Sequence, residues 1–463
     1  MIKTIYLIFL YTLFFFVFAQ NKSDYISADK LNYVLIPADE KFIDTLQHRA
    51  FLYFINEINP QNGLVKDRST IDSPASIAAV GFALASYGVG VERGWIKRKD
   101  AAQLVLNTLR FFWKSEQSEN SYSTGYKGFF YHFLDMKTGK RRWDCELSTV
   151  DTGLLMMGII FARNYYNLDN NLENEIHNLS NKLIERLNWD FFEMPVSGEY
   201  AYTISMGWTP EEGMHNMGWS GYNEALFLYI LAAGSGMTNV EAAYESWLNS
   251  YDWRTPYPGL SHAAFPPLFG HQFSHTFIDF RGLVDKYMKE KGIDYFENSR
   301  RATYVQRQYA IDNPSNWAGY DSLCWGLTAC DGPGESYNKN GMKFLSYAGR
   351  GTSGPELVYF DDGTIAPTAA AGSIVFAPEI VIPTLMNINE KYSSKGLWGQ
   401  YGFLDSFNLT LNWFNSDYLG IDQGPIVIMI ENFRTGLVWK YVMKDPLIQE
   451  GLVRLGFTGM ESD

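Results

Sequence analysis

The sequence predicts an all-α fold, an (α/α)6 barrel of six helical hairpins closed in a ring, with long loops on one rim. Three observations lead there. Apolar residues recur at helical spacing along most of the chain, long and short connections alternate between the helices, and the long connections concentrate glycine and aromatic residues.

Residues 1–19 read as a secretory signal peptide, with Lys3 before an uninterrupted apolar run and with Val17 and Ala19 at minus three and minus one before Gln20. No cysteine follows that site, which argues against a lipoprotein. A periplasmic or secreted location is expected, without membrane insertion once the signal is removed. A lead-in over 20–38 and one catalytic domain over 39–463 complete the division, since no Pro-, Ser- or charge-rich linker interrupts the chain.

Helices are expected at 39–57, 73–90, 98–115, 147–166, 171–188, 223–235, 239–249, 275–290, 295–311, 368–375, 379–391 and 422–433, with a short one at 447–455. Phe42, Leu46, Ala50 and Phe54 line one face of the first. Leu172, Ile176, Leu179, Leu183 and Leu187 do the same in the fifth, which Asn170 or Asn171 would cap. The long links are 58–72, 116–146, 189–222, 250–274, 312–367 and 392–421. Antiparallel hairpins place all of them at one end. Structureless links of that length argue against an assignment unless they are functional.

At 46% hydrophobic, the chain can build a large core. Its net charge of −13 disfavours nucleic acid and other polyanions as partners. Three cysteines exclude a disulfide-dense scaffold, although Cys324 and Cys330 are near enough in sequence to pair.

The acids give the rim its chemistry. Glu146 and Asp151 flank the start of one helix after a long link, Glu224 starts another, and Asp405 lies in the last long link. A glycosidase needs one protonated acid at the leaving oxygen and one carboxylate that activates water or attacks. The bland alternative is strong for Asp151, since Ser148 three residues earlier makes an approximate capping box. His271, His275 and Asp279 recur every four residues, as on one helix face, but no HExxH, CxxC or acid cluster completes a metal site. Arg281 is placed to clamp a nearby acid. The chain has no P-loop and no GxSxG elbow, and DGPGES (331–336) reads as a turn.

The strings DRSTIDSPASIAAVGFAL (67–84), CELSTVDTGLLMMG (145–158), WSGYNEALFLYILAAGS (219–235), LFGHQFSHTFIDFRG (268–282), GLTACDGPG (326–334), DDGTIAPTAAAGSIVFAPE (361–379) and LGIDQGPIVIMIENFRTGLVW (419–439) resemble the bacterial glucoamylase-like proteins. That group includes the endo-β-1,2-glucanases of glycoside hydrolase family 144. The resemblance implies one barrel, export, no metal or other cofactor, and inverting hydrolysis of β-1,2-glucan to sophoro-oligosaccharides. Carried over by residue, it puts Asp151, Glu224 and Asp405 at the pocket, with Glu224 as general acid, Asp405 as general base and Asp151 positioning water or sugar. Glu146, Trp219, His271, His275, Trp325 and Tyr401 are the subsite candidates. A monomer binding an oligo- or polysaccharide is expected. The alternatives are an exo-acting hydrolase releasing disaccharide on the same fold and a non-catalytic glycan-binding protein.

Overall fold

The computed structural model describes residues 33–335, 338–339 and 341–460, so the signal-peptide assignment lies outside the described residues. The fold is mostly helical. In order, the helices are α1 (Pro37–Asn56), α2 (Ile77–Glu92), α3 (Arg98–Lys114), α4 (Thr149–Tyr165), α5 (Asn171–Glu185), α6 (Leu226–Gly234), α7 (Val240–Asn249) and α8 (Phe273–Phe277). There follow α9 (Lys286–Lys291), α10 (Tyr295–Asp312), α11 (Pro367–Ala371), α12 (Pro378–Tyr392), α13 (Gly420–Thr435), α14 (Leu437–Val442) and α15 (Pro446–Arg454).

The helices sort into two layers by the width of their apolar surface. In α2, every residue from Ile77 to Gly90 is buried, and α4, α6 and α13 are buried almost all round. Such helices can only be interior. By contrast α3 and α5 carry one buried stripe each, Ala101, Val105, Leu109 and Phe112 on one and Ile176, Leu179 and Leu183 on the other, and they pack together outside. Asn170 caps α5 by accepting the Glu173 N–H.

Inside, α2 packs on α4 and on α13, α4 on α6, and α11 on α13. Two hydrogen-bonded joints link α6 to α8 and α8 to α11. The Phe227 N–H donates to Ser274 Oγ, and Gln272, just before α8, donates to the Ala369 carbonyl and Ser373 Oγ. The tightest approach is between α2 and α4, where a Cβ on Gly158 would lie 2.1 Å from the Gly81 carbonyl oxygen. Only glycine permits that spacing.

The long links are not structureless, because they carry two- and three-residue antiparallel ladders. Phe133–Leu134 pairs with Ala75–Ser76, and Leu147–Ser148 with Gly207–Trp208. These ladders tie the links to the helix starts.

One expected helix, 275–290, is broken. α8 ends at Phe277, Leu283–Val284 pairs with Thr458–Gly459, and α9 starts anew behind the Asp285 cap, whose carboxylate accepts the Met288 N–H. Gly282 at φ 70° and the Asp279–Arg281 ion pair turn the chain between them. His271 therefore lies in a 3-10 turn and Asp279 beyond the helix end, so the three residues share no helix face. All three cysteines are free.

Candidate active site

Asp151 is fixed by the start of α4. Ser148 Oγ accepts the Asp151 N–H at 3.2 Å and donates its own proton to Asp151 Oδ2, so cap and functional carboxylate are one unit. The ladder from Phe133 to Ser76 swings His132 toward the same point. Its Nδ1 lies 3.0 Å from Glu146 Oε1 and its Nε2 3.6 Å from Asp151 Oδ2. Burial would lower the imidazole pKa, but Asp151, Glu146 and Asp67 together raise it to about 9. Burial likewise would raise Glu146, and the His132 hydrogen bond brings it below its ordinary value instead.

Glu224 sits two residues before α6, its carbonyl accepting the Ser274 hydroxyl. The side chain is 9% exposed and its Oε2 is buried with no partner. Burial, reinforced by the charge of Asp151, raises its pKa to about 7. Asp151, Glu224, His132, Asp67, Arg68, Trp143 and Tyr347 all line one cavity of about 580 Å³. Trp143, 59% exposed, stands at its edge against Phe133, whose ring stacks on His132. Trp143 and Asp144 both adopt left-handed backbone, at φ 59° and 50°, and successive non-glycine residues there mark a loop held by its surroundings.

A second acid group adjoins the cavity. Asp405 Oδ2 accepts the Asp331 N–H at 2.8 Å and Asn415 Nδ2 at 3.0 Å, while Arg68 reaches Asp331 at 3.0 Å. Asp405 also hydrogen-bonds Asp422 in the first turn of α13. Burial and the Asp331 charge raise Asp405 to about 7, and burial with the Asp405 charge raises Asp422 well above the carboxylate range. A depression of about 530 Å³ beside α3 is lined by Arg110 and by the Lys140–Glu116 ion pair but by none of these buried acids.

Donor atoms of His132, Glu146 and Asp151 lie within 4.8 Å of one another, the residue types of a cation site. Each ring nitrogen nevertheless faces a different carboxylate, which is the arrangement of a doubly protonated imidazolium clamped between two acids.

A family model described as "putative glucoamylase" matches residues 216–446. A solved structure of the same description from Bacteroides uniformis ATCC 8492 is 34% identical, covers 92% of this chain and 99% of its own, and superposes with a TM-score of 0.79. The chain belongs to the glucoamylase-like family of glycoside hydrolases. Other members are similar over the same span. An endo-β-1,2-glucanase from Chitinophaga pinensis, solved with sophorotriose and glucose, is 28% identical over 92% of this chain and 99% of its own, at a TM-score of 0.78. An exo-β-1,2-glucooligosaccharide sophorohydrolase from Parabacteroides distasonis is 28% identical over 451 residues, and this chain spans 58% of that longer relative.

In this glucoamylase-like chain the structure brings Asp151, Glu224 and Glu146 to one place and sets Asp405 just behind it, in contact with Asp422. None of the six subsite candidates lines the cavity, and Glu146 reaches it only through His132. Trp219 Nε1 donates to Thr149, Trp325 Nε1 to Thr384, and Tyr401 Oη to Glu57, each from a buried ring. His271 and His275 are fully buried, the first against the Phe265 carbonyl and the second against Ser299 Oγ. The indoles, the phenol and Nε2 of each imidazole are spent on internal partners, while Nδ1 of His271 and of His275 is buried without one.

Sequence reasoning passed over His132, Asp67, Arg68, Asp331, Tyr347 and Asp422. Asp67, Arg68, Asp331 and Asp422 lie within the strings that carry the family resemblance, and Asp422 starts an apolar helix just as Asp151 does. That parallel was the available signal.

Proposed function

We propose that this chain is a glycoside hydrolase that cleaves β-1,2-linked glucan internally and with inversion, Glu224 donating a proton to the leaving oxygen. One observation carries the reading: a carboxyl with an unpartnered oxygen, pushed to about 7 by burial, lining a cavity beside Asp151. A general acid must hold its proton near the working pH, which is what this environment favours. The Asp405–Asp422 group provides the water-activating carboxylate, and Asp151 orients water or sugar. The likeness to the Chitinophaga endo-glucanase supports the linkage. Incubation with β-1,2-, β-1,3-, β-1,4- and α-glucans, followed by NMR, tests it. Oligomers from the β-1,2 polymer alone, α-anomer first, are expected; β-anomer first would overturn inversion, and no product from any polymer would favour the binding-protein reading.

An exo-acting mode is the second reading, supported by the name of the Parabacteroides relative and by Tyr347, from the 312–367 link, standing over the cavity. Disaccharide as the sole early product would establish it over the endo mode. We also propose that α2, α4, α6, α8, α11 and α13 close as the inner ring of an (α/α)6 barrel forming a single catalytic domain over 39–463. The sequence of inner contacts and hydrogen-bonded joints supports closure. Export through residues 1–19 completes the proposal, and N-terminal sequencing of the mature protein checks it.

A further inference from the structure

Asp405, 2% exposed, does not line the cavity, whereas Asp422 lines a recess of about 60 Å³ that shares Phe269, Phe273, Tyr347 and Ile421 with it. That volume suits about two water molecules. Asp422 is 7% exposed, its Oδ2 has no donor, and Oδ1 of Asp405 has none either. Two buried carboxyls in hydrogen-bond contact need one proton between them. Asp405 Oδ2 is already saturated by the Asp331 N–H and Asn415, which anchors it as the rear member.

We propose that Asp422 and Asp405 form a proton-sharing carboxyl pair in which Asp422, not Asp405, is the member that takes the proton of the attacking water. This rests on the hydrolase reading above and divides its labour. In the step, the water oxygen bonds to the anomeric carbon as the glycosidic C–O bond breaks. The water proton passes to Asp422 as the proton the pair shares passes to Asp405, and the Glu224 proton passes to the leaving oxygen. The pair, which began with one proton, ends with two, and Glu224 ends with none; exchange with solvent resets both. The groups facing the pair are Asp331 and Asp67 among the acids, Cys330 and Tyr347, with Arg68 as the cation bound to Asp331. The acids favour retention of the shared proton near neutrality.

The test compares Asp422→Asn and Asp405→Asn, both nearly isosteric and checked for folding by circular dichroism, in two readouts. Carbon-13 NMR titration of aspartate carboxyls needs no activity. In each variant the remaining partner is expected to titrate about one to two pH units lower than in the wild type, because the like charge is gone. Unchanged titration in both would overturn the pair. Kinetics on β-1,2-glucan then assigns the roles. Asp422→Asn is expected to lose about 10²- to 10⁴-fold in kcat and to regain turnover with azide, which attacks without a base. Asp405→Asn is expected to lose less turnover than Asp422→Asn and to gain none with azide, with the acid limb of its pH profile moved down. The reverse pattern would overturn the assignment of Asp422. Wild type inactive on every β-1,2-linked substrate would overturn the catalytic role together with the hydrolase reading, while the titration still decides whether the pair exists.

Discussion

His132 and His275 are both largely enclosed, yet burial acts on them with opposite results. At the cavity wall, His132 lies between Glu146 and Asp151 and its pKa rises to about 9. In α8, His275 is packed by Phe280, Phe296 and Phe376, and its pKa falls to about 3. Desolvation pulls both downward, so the neighbouring carboxylates decide the sign. The cavity wall retains charge and the core expels it.

The largest effect expected is at the cavity. Glu224→Gln should lower kcat by about 10²- to 10⁴-fold while the melting temperature holds, measured by reducing-end release and calorimetry. In the wild type, the rate should fall as pH rises through about 7, where Glu224 gives up its proton.

Next is the core histidine. His275 has a folded pKa below the unfolded value, so its contribution is intact above about 6.5 and is lost as pH falls toward about 3. His275→Gln, whose amide can still meet Ser299, should flatten the acid side of the stability profile. An unchanged acid slope would show that the core does not exclude charge there.

His132 should act in the opposite window. Its folded pKa is above the unfolded value, so its stabilisation is full below about 6.5 and disappears as pH rises through about 9. Denaturant melts of His132→Gln should lack that alkaline decline, on the order of 2 to 3 kcal/mol. The smallest effect is expected outside both regions. Arg281 pairs with Asp279 but is 55% exposed in its side chain, and Arg281→Gln should cost about 0 to 1 kcal/mol by the same melts.

The sequence made the inner helices legible because α2, α4, α6 and α13 are apolar on every side, a pattern that survives any error in period. It misread 275–290 because the spacing of His271, His275 and Asp279 imitates a helix, while the breaks come from a distant strand pairing at Thr458 and from the Asp285 cap. Asp151 and Glu224 were readable as acids at helix starts. Asp422 hid in the same kind of position, inside an apolar string. The aromatic and histidine candidates failed for another reason. Composition marks their links as rich in rings, but whether a ring faces the cavity depends on partners such as Thr149, Thr384 and Glu57, which are remote in sequence.

The contact of Gly81 with Gly158 bears on how this protein can change over time. Backbone resting on backbone is a hard stop, so the separation of α2 and α4 is insensitive to side-chain drift elsewhere. The ends of these same two helices carry Ser76 and Asp151, both on the cavity wall. That stretch of wall is therefore gauged by two missing methyl groups. Substrate range can diverge through the links while the spacing of the machinery stays constant, and a methyl added at Gly158 would displace Asp151 from about two helical turns away.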